Sequence, residues 1–152
     1  MNPTPPPKFK KALPFLKRML ITTVIISGVT FAQMYWSMGI FSNRISSGCP
    51  DCSFFEDAVF LSLLTGLFLS AGFRVLHCIK KMYIKAMVEF LILVILWFFW
   101  NYSIFVDRES SWSTYDFSSE IYYTFSQSVF PAIILGGVCI FLLHYKEIKK
   151  SH

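Results

Sequence analysis

Four long apolar segments dominate the chain of 152 residues, and they limit the folds that it can adopt. They are predicted at residues 19–41, 55–76, 84–106 and 121–143. A helix rises ~1.5 Å per residue, so about 20 apolar residues cross the ~30 Å hydrocarbon core of a bilayer. Backbone amides in lipid must be hydrogen-bonded within the protein, and these segments are apolar on every face, which favours helices over alternating strands. The predicted fold class is therefore an all-α, integral membrane four-helix bundle in up-down-up-down order.

The composition fits a membrane bundle and does not fit an additional soluble domain. Only 15% of the residues are charged and 55% are hydrophobic, whereas soluble domains are about a quarter charged. We expect a basic, proline-rich tail at 1–18, extended over residues 1–8, one membrane domain at 19–144, and a second basic tail at 145–152. The first segment is expected to be a retained anchor, because its apolar core is too long for a signal peptide and no small-residue cleavage site follows it.

The basic residues predict the orientation of the bundle. Of the 14 Lys and Arg residues, five lie in 1–18, four in 74–85 and three in 145–152, while Arg44 and Arg108 lie in acidic loops on the other side. The positive-inside rule then places both termini in the cytoplasm. The short loops favour a bacterial inner membrane. The net charge of +5 is explained by residues that flank the spans, so nucleic-acid binding is not expected.

Two spans carry small residues at intervals of four. These ladders are Ala58, Ser62, Gly66 and Ser70 in span two, and Thr124, Ser128, Ala132 and Gly136 in span four. Residues four apart lie near one face of a helix, and membrane helices associate through small residues that let backbones approach. We expect the ladders to line the closest helix contacts. Span three has no small residue between Phe90 and Trp100, which is typical of a helix that faces lipid or a partner.

Two ionisable residues lie within or near the predicted hydrocarbon. Arg74 precedes Lys81 by seven residues and Glu89 follows it by eight, so a helical hairpin would bring them to similar depth. Such charges are functional candidates by default, but here we expect an Arg74–Glu89 ion pair that fixes the hairpin. The other strongly polar residues of the spans are Gln33, Asn101 and Gln127, which can cross-link helices by hydrogen bonds. They form no continuous polar pathway of the kind that a channel needs.

Cys49-Pro50-Asp51-Cys52 in the first outer loop is the one chemical motif. A C-x-x-C pair on the oxidising side of a membrane is expected to form a disulfide, either as a structural staple or as a redox-active pair. Zinc needs about four ligands, and no histidine lies on this side. Cys78 and Cys139 are expected to be free thiols. His77 and His144 should lie at similar depth near the other face, where two histidines could also ligate haem.

The placement of Cys49 and Cys52 resembles that in the disulfide-generating quinone oxidoreductases of the DsbB type. These are four-helix proteins with both termini inside and a C-x-x-C in the first outer loop. The resemblance covers the topology and this motif, and it implies a thiol-redox function with quinone as cofactor. That family also uses a second cysteine pair in the second outer loop and a basic residue soon after the motif. Here residues 107–120 contain no cysteine, and Glu56 and Asp57 follow the motif.

No nucleotide-binding loop, hydrolase elbow or metal-binding helix motif occurs in the chain, so catalysis and a cofactor are not expected.

The leading hypothesis is helix–helix binding to another membrane protein, as a regulator, assembly subunit or immunity factor. The bulky face of span three and the aromatic, acidic second outer loop motivate it. The layout is similar to that of the small immunity proteins that block pore-forming bacteriocins. Expected partners are the lipid bilayer and another membrane protein or a second copy. The alternatives are a thiol-redox protein using Cys49 and Cys52, and an oligomeric transporter subunit with Glu89 as coupling carboxylate.

Overall fold

The computed structural model describes residues 7–150, with side chains described at 15–76 and 78–145. The helices are α1 (Pro7–Met38), α2 (Phe54–Val75), α3 (Met82–Arg108) and α4 (Phe117–Lys150), with short 3₁₀ turns at Gly39–Phe41, Leu76–Cys78 and Ser110–Trp112. The segments long and apolar enough to cross a membrane are Phe15–Phe41, Phe54–Val75, Met82–Trp112 and Phe117–Tyr145. This confirms the prediction of an all-helical protein with four candidate membrane spans. The up-down order and the cytoplasmic position of the termini stay predictions.

Two helices are longer than predicted. α1 begins at Pro7 instead of at Met19, and α4 continues to Lys150. Proline suits the first turn of a helix, and residues 8–18 are rich in Lys and Leu, which favour helix. The expectation of an extended tail is therefore wrong for residues 7 and 8, and for residues 1–6 it lies outside the described residues. Residues 7–18 and 145–150 of the flanking basic segments continue α1 and α4, and the division into a membrane domain and two tails stays a prediction.

The starts of α2 and α4 are fixed by capping. The Ser53 hydroxyl accepts a hydrogen bond from the Glu56 amide at 3.2 Å, and the Ser53 amide donates to the Glu56 carboxylate at 3.0 Å. This capping box satisfies amides that the first helical turn leaves unpaired. At α4, the Asp116 carboxylate accepts hydrogen bonds from the Ser119 hydroxyl and from the amides of Ser118 and Ser119. These bonds, above all the one from the hydroxyl, hold the pKa of that carboxyl below its usual range. Both caps define where the loops end and the apolar helices begin.

The small-residue ladders lie at two helix–helix contacts. The residues of the α2 ladder are buried, and Ser70 accepts a hydrogen bond from Thr23 of α1 at 2.9 Å. A Cβ atom on Gly66 would lie 2.0 Å from the Ser27 hydroxyl of α1. On α4, a Cβ atom on Gly136 would lie 2.8 Å from the Phe90 ring of α3. Close backbone approach thus joins α1 to α2, whereas Gly136 of α4 makes room for an aromatic ring of α3. Helix α1 also packs against α3 and α4.

The bulky residues of α3 are divided between the core and the surface. Trp97 and Leu93 are fully buried, although the absence of small residues suggested that this stretch faces lipid or a partner. The Trp97 indole donates to Thr30 of α1 at 2.9 Å, and the Trp100 indole donates to Thr65 of α2 at 2.9 Å. Each indole needs a hydrogen-bond partner when it is buried, and the hydroxyls of α1 and α2 supply one. The tryptophans therefore tie α3 to the first two helices.

Candidate functional site

One end of the bundle, here named the basic end, contains a small polar cavity. Its volume is about 70 Å³, and all four helices contribute to its lining. The lining residues are Arg18 and Thr22 of α1, Ser70, Phe73 and Arg74 of α2, Lys85 and Glu89 of α3, and Leu143 and His144 of α4. Two of the three predicted clusters of basic residues, at 1–18 and 74–85, contribute Arg18, Arg74 and Lys85 to this lining. The cavity therefore gathers ionisable side chains that are rare in a membrane domain.

Glu89 lies in the wall of the cavity and is paired there. Its carboxylate oxygen Oε2 lies 2.6 Å from Nε2 of His144, and Oε1 lies 3.9 Å from the Lys85 ammonium. Glu89 is 2% exposed and His144 is 4% exposed. A carboxylate that is removed from water needs such partners, because burial of an unpaired charge is costly. The contact joins α3 to α4, and Lys85 supports it from one helical turn away.

Arg74 lines the same cavity, but its direct contacts differ from the predicted ones. The guanidinium donates to the carbonyl of Phe15 at 3.2 Å and lies 4.4 Å from the centre of the Phe15 ring. Among the described side chains, the structure therefore replaces the expected Arg74–Glu89 pair by Arg74–Phe15 and Glu89–His144 contacts. The prediction assumed that α2 and α3 pack as an adjacent hairpin. The structure instead packs α2 mainly on α1 and α3 mainly on α4.

At the opposite end, here named the loop end, Arg108 joins the two loops. Its side chain is 1% exposed. Nη1 donates to the Arg44 carbonyl at 2.7 Å, while Nη2 donates to the Cys52 carbonyl at 3.2 Å and to the Asp57 carboxylate at 2.5 Å. A planar guanidinium suits this role because its donors are held in a rigid fork. Arg108 thus binds the loop 42–53 and the start of α2 to the end of α3.

The role of Arg108 was not predicted from the sequence, in which it is one of two basic residues in the acidic loops. Its neighbour Asp107 makes further contacts, accepting hydrogen bonds from the Ser47 hydroxyl at 2.9 Å and from the Gly48 amide at 3.0 Å. The Trp112 indole donates to the Ile45 carbonyl at 3.0 Å. The signal in the sequence was an arginine two residues after the third predicted span, at the same end as the acidic start of α2 at Glu56 and Asp57. It gave no indication that the side chain is buried.

The predicted disulfide is confirmed, because Cys49 and Cys52 are joined in the loop 42–53. The loop around it is ordered by hydrogen bonds: the Cys49 amide donates to Ser46 at 3.1 Å, and the Cys52 carbonyl accepts from Arg108. Cys78 and Cys139 are free thiols, the first exposed and the second buried. A disulfide that closes so short a loop stabilises by about 2 kcal/mol in the chain-entropy account. These contacts make the pair part of the loop-end scaffold.

The polar residues of the spans differ in their contacts and in their exposure. The Asn101 amide donates to Ser128 at 3.0 Å and so links α3 to α4, while the Gln33 amide donates to Ser37 within α1 at 2.8 Å. Gln127 is exposed on α4 instead. Within the described part of the chain, the Gln127 amide has no hydrogen-bond partner. A primary amide therefore points out of the bundle from the middle of an apolar helix.

The chain matches no protein-family model, and neither the curated proteins nor the solved structures include a significant match to it.

Proposed function

We propose that this protein is a small multi-pass protein of a bacterial inner membrane that acts by binding a transmembrane helix of another membrane protein, as a regulator, assembly subunit or immunity factor. The exposed amide of Gln127 on α4 is the observation that carries this proposal. Both termini would lie in the cytoplasm, which is supported by the concentration of basic residues at one end of the bundle.

The depth of Gln127 makes its exposure informative. It follows Ile121, where the fourth predicted span begins, by six residues, which is about 9 Å along a helix that rises ~1.5 Å per residue. It lies within the apolar segment Phe117–Tyr145. A glutamine is too short to reach the headgroups from there, and its amide loses hydrogen bonds to water when it faces lipid. A helix of a partner that offers a hydrogen-bonding group would satisfy this amide.

Gln127 belongs to an exposed stripe on α4. The stripe contains Gln127, Phe130, Ile134, Gly137 and Phe141. Their spacing of three and four residues is that of the seam between two helices that cross at a shallow angle. A Cβ atom added to Gly137 would meet no atom within 4 Å, so this position leaves a notch into which the side chain of a neighbouring helix fits. The α4 stripe thus combines a polar contact, a notch and large apolar side chains.

Gln127→Leu tests the α4 stripe. We expect the variant to fold as stably as the wild type, because the amide makes no contact within the described chain, but to lose its partner. Interhelical hydrogen bonds in membranes contribute about 0.6–2 kcal/mol, so recovery of the partner after crosslinking in cells should fall by roughly 3- to 30-fold. Ser103→Leu is the matched control, because Ser103 is an exposed polar residue on α3. Equal recovery with wild type, Gln127→Leu and Ser103→Leu would contradict the proposal.

The thiol-redox alternative has less support from the structure. The Cys49–Cys52 pair is held in a loop that Arg108 and Asp107 fix by hydrogen bonds. A pair that exchanges electrons with a partner must let one sulfur be attacked, and access to that sulfur controls the rate. Both cysteines are only partly exposed, and the second pair of the DsbB type is missing from residues 107–120. These features favour a structural staple.

A further inference from the structure

The cavity at the basic end has an excess of positive charge. Arg18, Arg74 and Lys85 line it, and Glu89 supplies one carboxylate. Even without Arg18, the cations Arg74 and Lys85 less the Glu89 carboxylate leave a formal charge of +1. Because Glu89 already contacts Lys85 and His144, its charge is directed into the wall of the cavity. Electrostatic attraction is strong near a low-dielectric core, so such a cavity favours an anion.

The cationic residues lie where the helices leave the apolar segments. Arg74 precedes the last residue of α2, and Lys85 lies in the first turn of α3. Arg18 directly precedes the first predicted span at 19–41. The three side chains are therefore placed level with the boundary between hydrocarbon and headgroups. Lipid phosphates lie at this level, and basic pockets between membrane helices bind such headgroups.

The geometry of the cavity limits the size and the kind of anion. A volume of about 70 Å³ holds roughly five waters at ~10–15 Å³ each, which suits one phosphate group better than a larger solute. The Phe15 carbonyl and ring hold the Arg74 guanidinium in place. That contact uses one of five N–H donors of the guanidinium. The remaining donors form a fork that matches the oxygens of a phosphate.

We propose that the basic-end cavity binds a phosphate group, supplied either by the headgroup of an anionic lipid in the adjacent leaflet or by soluble phosphate. Arg74 gives a bidentate contact, and Lys85 adds positive charge. The Thr22 hydroxyl, which also lines the cavity, is a further donor. A bound phosphate would connect α1, α2 and α3 at the end where Arg74 and Phe15 already meet. The site is separate from the α4 stripe, and the proposal does not depend on the proposed function.

The first arm of the test compares lipids on the full-length wild-type protein. The protein is reconstituted in bilayers of phosphatidylcholine alone, or of phosphatidylcholine and phosphatidylglycerol in equal parts, and the retained lipids are counted by native mass spectrometry. We expect phosphatidylglycerol to be retained about tenfold better than phosphatidylcholine, because its headgroup carries no compensating cation. In the second arm, inorganic phosphate and sodium chloride are compared at equal ionic strength for their effect on the unfolding midpoint in detergent.

The variants Arg74→Gln and Lys85→Gln are tested singly and together. We expect each to weaken the binding of phosphatidylglycerol or of inorganic phosphate, whichever the wild type binds, by about tenfold, because each removes a charged contact. Lys80→Gln and Lys81→Gln are the matched controls, because both lysines are exposed near the same end and do not line the cavity. Retention of phosphatidylglycerol identifies a lipid as the source, and stabilisation by inorganic phosphate alone identifies a soluble one. A wild-type protein that responds to neither, or controls that lose as much binding as the cavity variants, would overturn the proposal.

Discussion

Replacement of Gly66 by leucine is expected to destabilise the bundle by about 3 kcal/mol or more, because it forces apart two helices whose backbones touch. A Cβ atom at this position would lie 2.0 Å from the Ser27 hydroxyl and 2.8 Å from the Thr23 carbonyl oxygen. The serine side chain can rotate, but the carbonyl belongs to the backbone of α1. The whole helix must therefore shift, which also breaks the Thr23–Ser70 hydrogen bond.

The midpoint of unfolding in mixed detergent measures this effect. Gly66→Ala should give an intermediate loss, because it adds only the Cβ atom. Gly28→Leu and Gly72→Leu are the controls, since a Cβ atom on either glycine meets nothing within 4 Å. Both controls should remain within about 0.5 kcal/mol of the wild type. A Gly66→Leu protein as stable as these controls would mean that α1 and α2 do not pack as described.

Arg108→Leu is expected to cost about 2–4 kcal/mol and to loosen both loops at the loop end. Removal of one partner from a buried ion pair costs ~3–5 kcal/mol, and this value is reduced here because Asp57 is about one-third exposed. The change also leaves the carbonyls of Arg44 and Cys52 without their donor. Arg108→Lys should recover only part of the loss, because an ammonium cannot reproduce the planar fork.

Two measurements report the effect of replacing Arg108. The unfolding midpoint reports the stability, and the rate of proteolysis within residues 42–53 reports the freedom of the first loop. Arg44→Gln is the control, because the Arg44 side chain is 60% exposed where it pairs with Glu109 at 3.4 Å, and an ion pair in contact with water contributes about 1 kcal/mol or less. If Arg108→Leu and Arg44→Gln behave alike, Arg108 does not join the loops.

The helices could be predicted from the sequence, because the requirement for apolar length acts locally along the chain. Ladders of small residues were also visible as a pattern: Gly66 lies where the backbones of α1 and α2 approach, and Gly136 lies against the Phe90 ring of α3. The ends of α1 and α4 were not found, because hydropathy marks the part of a helix that lies in lipid and not the turns that extend beyond it. Those turns depend on helix propensity and capping.

The charged sites could be predicted only in part. Arg74 and Glu89 were recognised as candidates and line one cavity, but their partners depend on which helices are neighbours, and sequence spacing does not determine this. His144 is 55 residues from Glu89, and Arg108 is 51 residues from Asp57. Gln127 was expected to cross-link helices, whereas the orientation of α4 exposes it. These contacts are tertiary, so a single sequence contains little signal for them.

The two ends of the bundle differ in a way that suits a binding protein. At the loop end, Arg108, Asp107 and the disulfide hold the loops together, while the basic end keeps a small charged cavity. Rigid loops would hold α4 in one orientation relative to the other helices, and a preformed surface loses less entropy when a partner binds. The α4 stripe lies on a helix that is tied to α3 at this end, where Tyr102 donates a hydrogen bond to Glu120 at 2.8 Å.

The most direct test of partner binding is photo-crosslinking from exposed phenylalanine positions in living cells. A benzophenone amino acid is placed at Phe130 or Phe141 on the α4 stripe, or at Phe60 or Phe68 on α2, all of which are more than half exposed. We expect one defined adduct with another membrane protein from both α4 positions and none from the α2 positions. Adducts with lipid alone at all four positions, equal adducts from both helices, or an adduct only with a second copy of this chain would contradict the proposed function.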